Sequence, residues 1–118
     1  MKIAIPVDEN KKDICPSFAR TYYFLFVNPQ DGKKELIENP AKDEEGGAGP
    51  KAAQFIVDRN IDAIITPRLG ENAAEVLQQA QIEIYKSAET EVEKNIEMFT
   101  QNKLEKLSHF HAGYHGIR

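Results

Sequence analysis

The stretch from Ile61 to Tyr85 limits the architectures open to this chain more than any other. Ile61 to Thr66 reads as a buried strand and Ile82 to Tyr85 as a second, shorter one. Between them Ala73, Val76, Leu77 and Ala80 fall at i, i+3, i+4 and i+7, the stripe of a helix with one apolar face. Strand, helix and strand in that order demand a parallel pair joined by a right-handed crossover. Everything else must be fitted around that pair.

Upstream, Lys2 to Val7 reads as a strand with Ile3, Ile5 and Val7 on one face and Ala4 on the other. Pro6 lacks a ladder donor, which places it near the strand's end or where its N–H side is free. Thr21 to Val27, rich in aromatic residues, is the most strand-like run of the chain. The turn-forming Asn28-Pro29-Gln30-Asp31-Gly32 follows it, and then the more polar Lys33 to Glu38. The pair predicts an antiparallel hairpin with Lys33 to Glu38 at a sheet edge.

The next segment, Glu45-Gly46-Gly47-Ala48-Gly49-Pro50-Lys51, carries three glycines within four residues. These free the backbone to turn sharply and bring its N–H groups close to a partner. Pro50 suits a first helical position, so a helix is predicted from Pro50 to Asp58 with Ala52, Ala53 and Ile56 on one face. Thr90-Glu91-Val92-Glu93 reads as a capping box opening a third helix, in which Thr90 caps and Glu93 reaches back. Val92, Ile96 and Phe99 form its stripe, and Leu104 and Leu107 continue the packing. A single α/β domain over residues 1–107 is expected, with a flexible His-containing tail over 108–118.

These elements make a mixed five-stranded sheet with three helices on its faces. With the strand after the first helix parallel to the first strand, all three helices begin at one edge of the sheet. That is the edge where ligands bind in open α/β sheets. Four connections meet there, over residues 8–20, 39–49, 67–70 and 86–89. Helix N-termini aimed at one place favour negative charge.

Bulk properties narrow the function. A length of 118 residues suits one domain. A net charge of −4 without a basic stripe argues against a nucleic-acid partner. No apolar run reaches the length of a membrane span, and the N-terminus lacks a signal peptide's apolar core and cleavage site. Cys15 stands alone, so no internal disulfide framework exists. The expected location is the cytoplasm.

Taken in order, Met1-Lys2-Ile3-Ala4-Ile5-Pro6-Val7-Asp8, Phe18-Ala19-Arg20, Asn39-Pro40, Gly47-Ala48-Gly49, Leu69-Gly70-Glu71-Asn72-Ala73, Ile84-Tyr85 and the third helix opening at Thr90 resemble the dinitrogenase iron-molybdenum cofactor biosynthesis family. The similarity runs to about Leu107. It implies a three-layer, ribonuclease H-like α/β/α fold and a role in binding and carrying the nitrogenase cofactor or its iron–sulfur precursor. The chain departs from the family in three places. Ser17 stands where the family often has a histidine, a candidate cluster ligand, and serine is a poor ligand for a soft metal. Ala19 replaces a glycine, and Pro67 stands at a frequent first glycine.

Candidate residues follow. Cys15, two positions before Ser17, offers a thiolate ligand or is a half-buried small hydrophobe. His109, His111 and His115 form a His-x-His-x3-His metal pattern or belong to a disordered tail. Arg20 anchors an anion or pairs with Asp8. Gly47, Gly49 and Gly70 offer backbone donors, with Asn72 adding a side-chain amide; otherwise only glycine fits those turns. Asp8 ends the first strand and Asp62 begins another at the opposite edge, so the clustered carboxylates of a two-metal nuclease are missing. No Ser–His–Asp set, P-loop or dinucleotide fingerprint is present.

The expected function is a non-enzymatic cytoplasmic carrier of an anionic iron–sulfur or iron-molybdenum-type cofactor, a monomer or weak dimer that exchanges cargo with donor and acceptor proteins. The alternative is a regulatory or protein-interaction module that keeps the fold without a cluster. A weaker third is an enzyme acting on a phosphorylated small molecule.

Overall fold

The computed structural model describes residues 1–112. Its elements are β1 (Ile3–Val7), β2 (Tyr23–Asn28), β3 (Lys33–Glu38), α1 (Ala48–Val57), β4 (Ala63–Thr66), α2 (Glu71–Gln79), β5 (Glu83–Lys86) and α3 (Val92–Thr100). The sheet order is β3-β2-β1-β4-β5. β1 and β3 run antiparallel to β2, whereas β1–β4 and β4–β5 are parallel. All three helices therefore leave the same edge, as the crossover argument requires.

Every residue of the central β1 is buried. Its alternation feeds two cores. Ile3, Ile5 and Val7 pack with Val27, Ile65 and Val92 under α3. Ala4 faces the other way, with Phe24, Ile56, Ile64 and Leu77 under α1 and α2. On that face Ala52 and Ala53 of α1 and Ala73 and Ala74 of α2 are all buried, and such small side chains let the two helices approach closely. Each buried isoleucine, leucine or phenylalanine contributes roughly 1.5–3 kcal/mol. Pro6 lies beyond Ala4↔Ile64, the last β1–β4 pair, so its missing donor falls outside that ladder. Its carbonyl accepts from the Cys15 N–H. β3 is an edge strand with exposed, charged side chains.

Three local expectations need correction. α1 begins at Ala48, two residues earlier than predicted, so Pro50 is its third residue. That position is tolerated because none of a helix's first N–H groups has an intrahelical partner. The α2 stripe is buried at Ala73, Ala74 and Leu77, while Ala80, past the helix end, is exposed. At α3 the capping box does not form: Glu91 is the N-cap, no side chain caps the helix, and Glu93 pairs instead with Lys34 of β3.

The connection into α3 is held instead by Asn95, fully buried on the helix. Its Oδ1 accepts from the Ala88 and Glu89 N–H groups, and its Nδ2 donates to the Glu89 and Glu91 carbonyls. One side chain thus satisfies four backbone groups of the β5–α3 connection.

After α3 the chain runs back beside β5. Lys86 N–H donates to the Glu105 carbonyl and Leu107 N–H to that of Ile84. Leu104 packs under α3, and Leu107 and Phe110 against the opposite core. Among the described residues no helix is long and apolar enough to cross a membrane.

Asn95→Ala should lower stability by about 2–4 kcal/mol, because it strands several backbone groups. Thr90→Ala should change it by less than about 0.5 kcal/mol. Urea denaturation of both variants checks the reassignment, and the opposite ranking would restore the capping box.

Candidate functional site

At the edge where the helices begin lies a cleft of about 750 Å³. Its walls come from residues 16–20, 45–50, 68–70 with the start of α2, and His111–Ala112. Buried polar side chains hold these loops together. Asn39 Nδ2 donates to the Ala19 and Thr21 carbonyls, and its Oδ1 accepts from Ala41 N–H. Thr21 Oγ1 donates to the Val7 carbonyl, fixing the segment to the end of β1. Arg20 Nη1 donates to the carbonyls of Lys42 and Glu44 at 3.0 and 2.8 Å. The expected Arg20–Asp8 pair is therefore not made: Arg20 braces the loop that leads into α1, and Asp8 Oδ1 accepts from Glu9 N–H.

Gly47, the N-cap of α1, has φ 72°, a left-handed conformation open to glycine at little cost. Gly49 lies where the walls approach one another. A Cβ there would sit 3.6 Å from Ala73 Cβ and 4.0 Å from Ala19 Cβ, so three walls meet at this residue. Having no side chain, Gly47 supplies no cap. Since Pro50 has no N–H, the open amides of α1 are those of Ala48 and Gly49.

α2 repeats the arrangement. Its N-cap Gly70 also supplies no side-chain cap. The Glu71 N–H donates to the His111 carbonyl at 2.8 Å, and His111 N–H donates to the Leu69 carbonyl. That leaves the amides of Asn72 and Ala73 toward the cleft. The expected convergence of three helix N-termini reduces to two. α3 lies on the other face of the sheet, and its Val92 N–H is taken by the Lys12 carbonyl.

The predicted site residues divide accordingly. Ser17, Arg20, Gly47, Gly49, Gly70, Asn72 and His111 all line the cleft. Ser17 Oγ accepts from Arg20 N–H. Cys15 is buried and does not line the cleft, whose wall begins one residue later at Pro16. His109 faces a neighbouring groove. His115 lies outside the described residues. Among the described residues no three His, Cys, Asp or Glu side chains are grouped to hold a metal ion.

Sequence reasoning missed Arg68. It is exposed, lines the cleft and forms no ion pair among the described residues. With Arg20 it opposes the one cleft carboxylate, Glu45. The available signal was a cation next to the glycine of a strand-to-helix loop at the ligand-binding edge. The cleft can thus offer four backbone N–H groups, two positive helix ends and two guanidinium groups to an anion. A second cleft, of about 430 Å³, lies beyond the C-terminal end of α3 and has no helix N-terminus in its lining.

Comparison with known proteins agrees on the fold. A family model described as dinitrogenase iron-molybdenum cofactor matches residues 1–102. An uncharacterised protein of Methanocaldococcus jannaschii is 37% identical over 110 residues, covering 91% of this chain and 92% of that one. The apo form of the orange protein from Desulfovibrio gigas has a TM-score of 0.83 at 23% identity, covering 91% of this chain and 92% of that one, a likeness of fold. A Thermotoga protein provisionally described as NifB has a TM-score of 0.76 at 31% identity, covering 92% and 95% of the two chains.

Gly47→Ala should cost about 1–2 kcal/mol through its left-handed backbone. Gly46→Ala, where an added Cβ meets nothing within 4 Å, should cost less than about 0.5 kcal/mol. Thermal unfolding of the two variants measures the difference.

Proposed function

The chain belongs to the dinitrogenase iron-molybdenum cofactor family, and from that premise we propose that it binds and hands on an anionic metal–sulfur cofactor as cargo. The observation that carries this reading is the cleft itself, where two uncapped helix N-termini converge with Arg20 and Arg68. A pre-assembled cluster that brings its own sulfide ligands needs charge neutralisation and hydrogen bonds more than protein ligands. The cleft's donors suit that demand, and among the described residues His111 is the histidine in its wall. Cys15 plays no inner-ligand role in this reading. The protein acts by sequestration and release, as a cytoplasmic non-enzyme. On the same reading, a sheet in which β2 alone runs against the other strands is ribonuclease H-like.

A second reading, an interaction module that keeps the fold without a cluster, draws on Ser17. Its Oγ is spent on a local backbone N–H, so no metal ligand stands at the position where the family resemblance implies a histidine.

Anaerobic titration with tetrathiomolybdate, and separately with iron and sulfide, followed by absorption spectroscopy and metal analysis after gel filtration, separates the two. The carrier reading expects stoichiometric retention of a thiometalate. Arg68→Glu should weaken it at least about tenfold, as for loss of a charge-assisted contact. Cys15→Ser should leave it unchanged. Wild-type protein that retains neither probe would favour the interaction module, and loss of binding in Cys15→Ser would return the thiol to the site.

A further inference from the structure

Beside the cleft, and sharing Arg68, Leu69 and His111 with it, runs a groove of about 470 Å³ between the β4–α2 loop and the segment from Glu105 to His111. We propose that this groove docks a short, extended, acidic segment of a partner protein. The proposal stands on the groove's own chemistry and needs no cargo in the cleft.

Charge is the first argument. In a chain of net charge −4, the groove gathers Arg68, Lys86 and Lys106 against one carboxylate, Glu105. Neither Arg68 nor Lys86 makes an ion pair among the described residues. Lys106 is only loosely held, 3.9 Å from Glu83 and over the Tyr85 ring. Such a cluster focuses positive potential locally and favours an acidic visitor.

Backbone geometry is the second. Glu105 and Leu107 direct their hydrogen bonds to β5, around the antiparallel bridge Tyr85↔Lys106. Alternation along an extended chain then turns the N–H and C=O of Lys106 away from β5. No hydrogen bond among the described residues uses them. An extended peptide would find there a donor and an acceptor flanked by cations, the conditions for adding a strand. Nucleic acid fits less well, because three cations neutralise few phosphates and the chain as a whole is acidic.

Fluorescence anisotropy with a short fluorescein-labelled Glu/Asp-rich peptide tests the proposal, with amide NMR shifts to locate the contact. The peptide should bind at low ionic strength, with shifts at Arg68, Lys86 and residues 105–111. The K86E/K106E double variant should weaken it at least about tenfold. A K33E/K103E control of equal net charge should leave it near wild type. Absence of binding, or equal weakening by both double variants, would overturn the proposal. So would tighter binding of a single-stranded oligonucleotide than of the peptide at matched charge. Lys86 and Lys106 do not line the cleft, so K86E/K106E should still retain thiomolybdate, which also verifies its fold.

Discussion

The two parallel ladders, β1–β4 and β4–β5, govern the rest of this molecule. Parallel neighbours cannot be joined by a tight turn, so the chain must cross the sheet between them and begin each helix at the same edge. The hairpin β2–β3 adds to this arrangement without disturbing it: β3 runs in the direction of β1, and α1 starts where α2 starts. A site at that edge needs no dedicated scaffold, only loops short enough to let helix ends approach. Gly49 against Ala73 and Ala19 shows how near they come.

Two buried asparagines then stabilise the connections that the ladders impose. Asn39 ties the β3–α1 loop to the segment before β2, and Asn95 ties the β5–α3 loop to its own helix. Asparagine suits both places because it is donor and acceptor at once and carries no charge to desolvate. The outcomes differ by face. On the α3 side the Lys12 carbonyl takes the first helical N–H and Asn95 fills the loop before it. On the α1–α2 side glycine N-caps leave donors unspent, and there the cleft opens.

The sheet was legible in the sequence because its signals are local. Period and apolar runs located all five strands, and the polar Lys33–Glu38 marked the edge. Helix starts were less legible. Pro50 favours the first helical position but is tolerated at the third, and a Thr-x-x-Glu pattern says nothing of a buried asparagine a turn later. The cleft was legible as an edge and as a glycine loop. Arg68 was not, since a lone cation in a short connection looks like surface charge until the fold sets it beside a helix N-terminus. Cys15 was misleading for the opposite reason: its position along the chain is near the wall, yet it is buried and outside the lining. The packing of Leu104 and Leu107 was legible as apolar residues after the third helix, but the course of residues 104–111 along the sheet was not, because it depends on β5 offering an unpaired edge.

That path gives the cleft an unusual history. Most of its surface comes from residues 16–73, but its closing wall comes from His111–Ala112, through hydrogen bonds to Leu69 and Glu71. As the ribosome delivers the chain from its N-terminus, the sheet and the paired helices can assemble around a cleft still lacking one side. A shorter nascent chain therefore holds a half-built receptor. The finished one needs the polypeptide to have rounded α3 and returned along β5, so the pocket depends on a segment some forty residues beyond the rest of its lining.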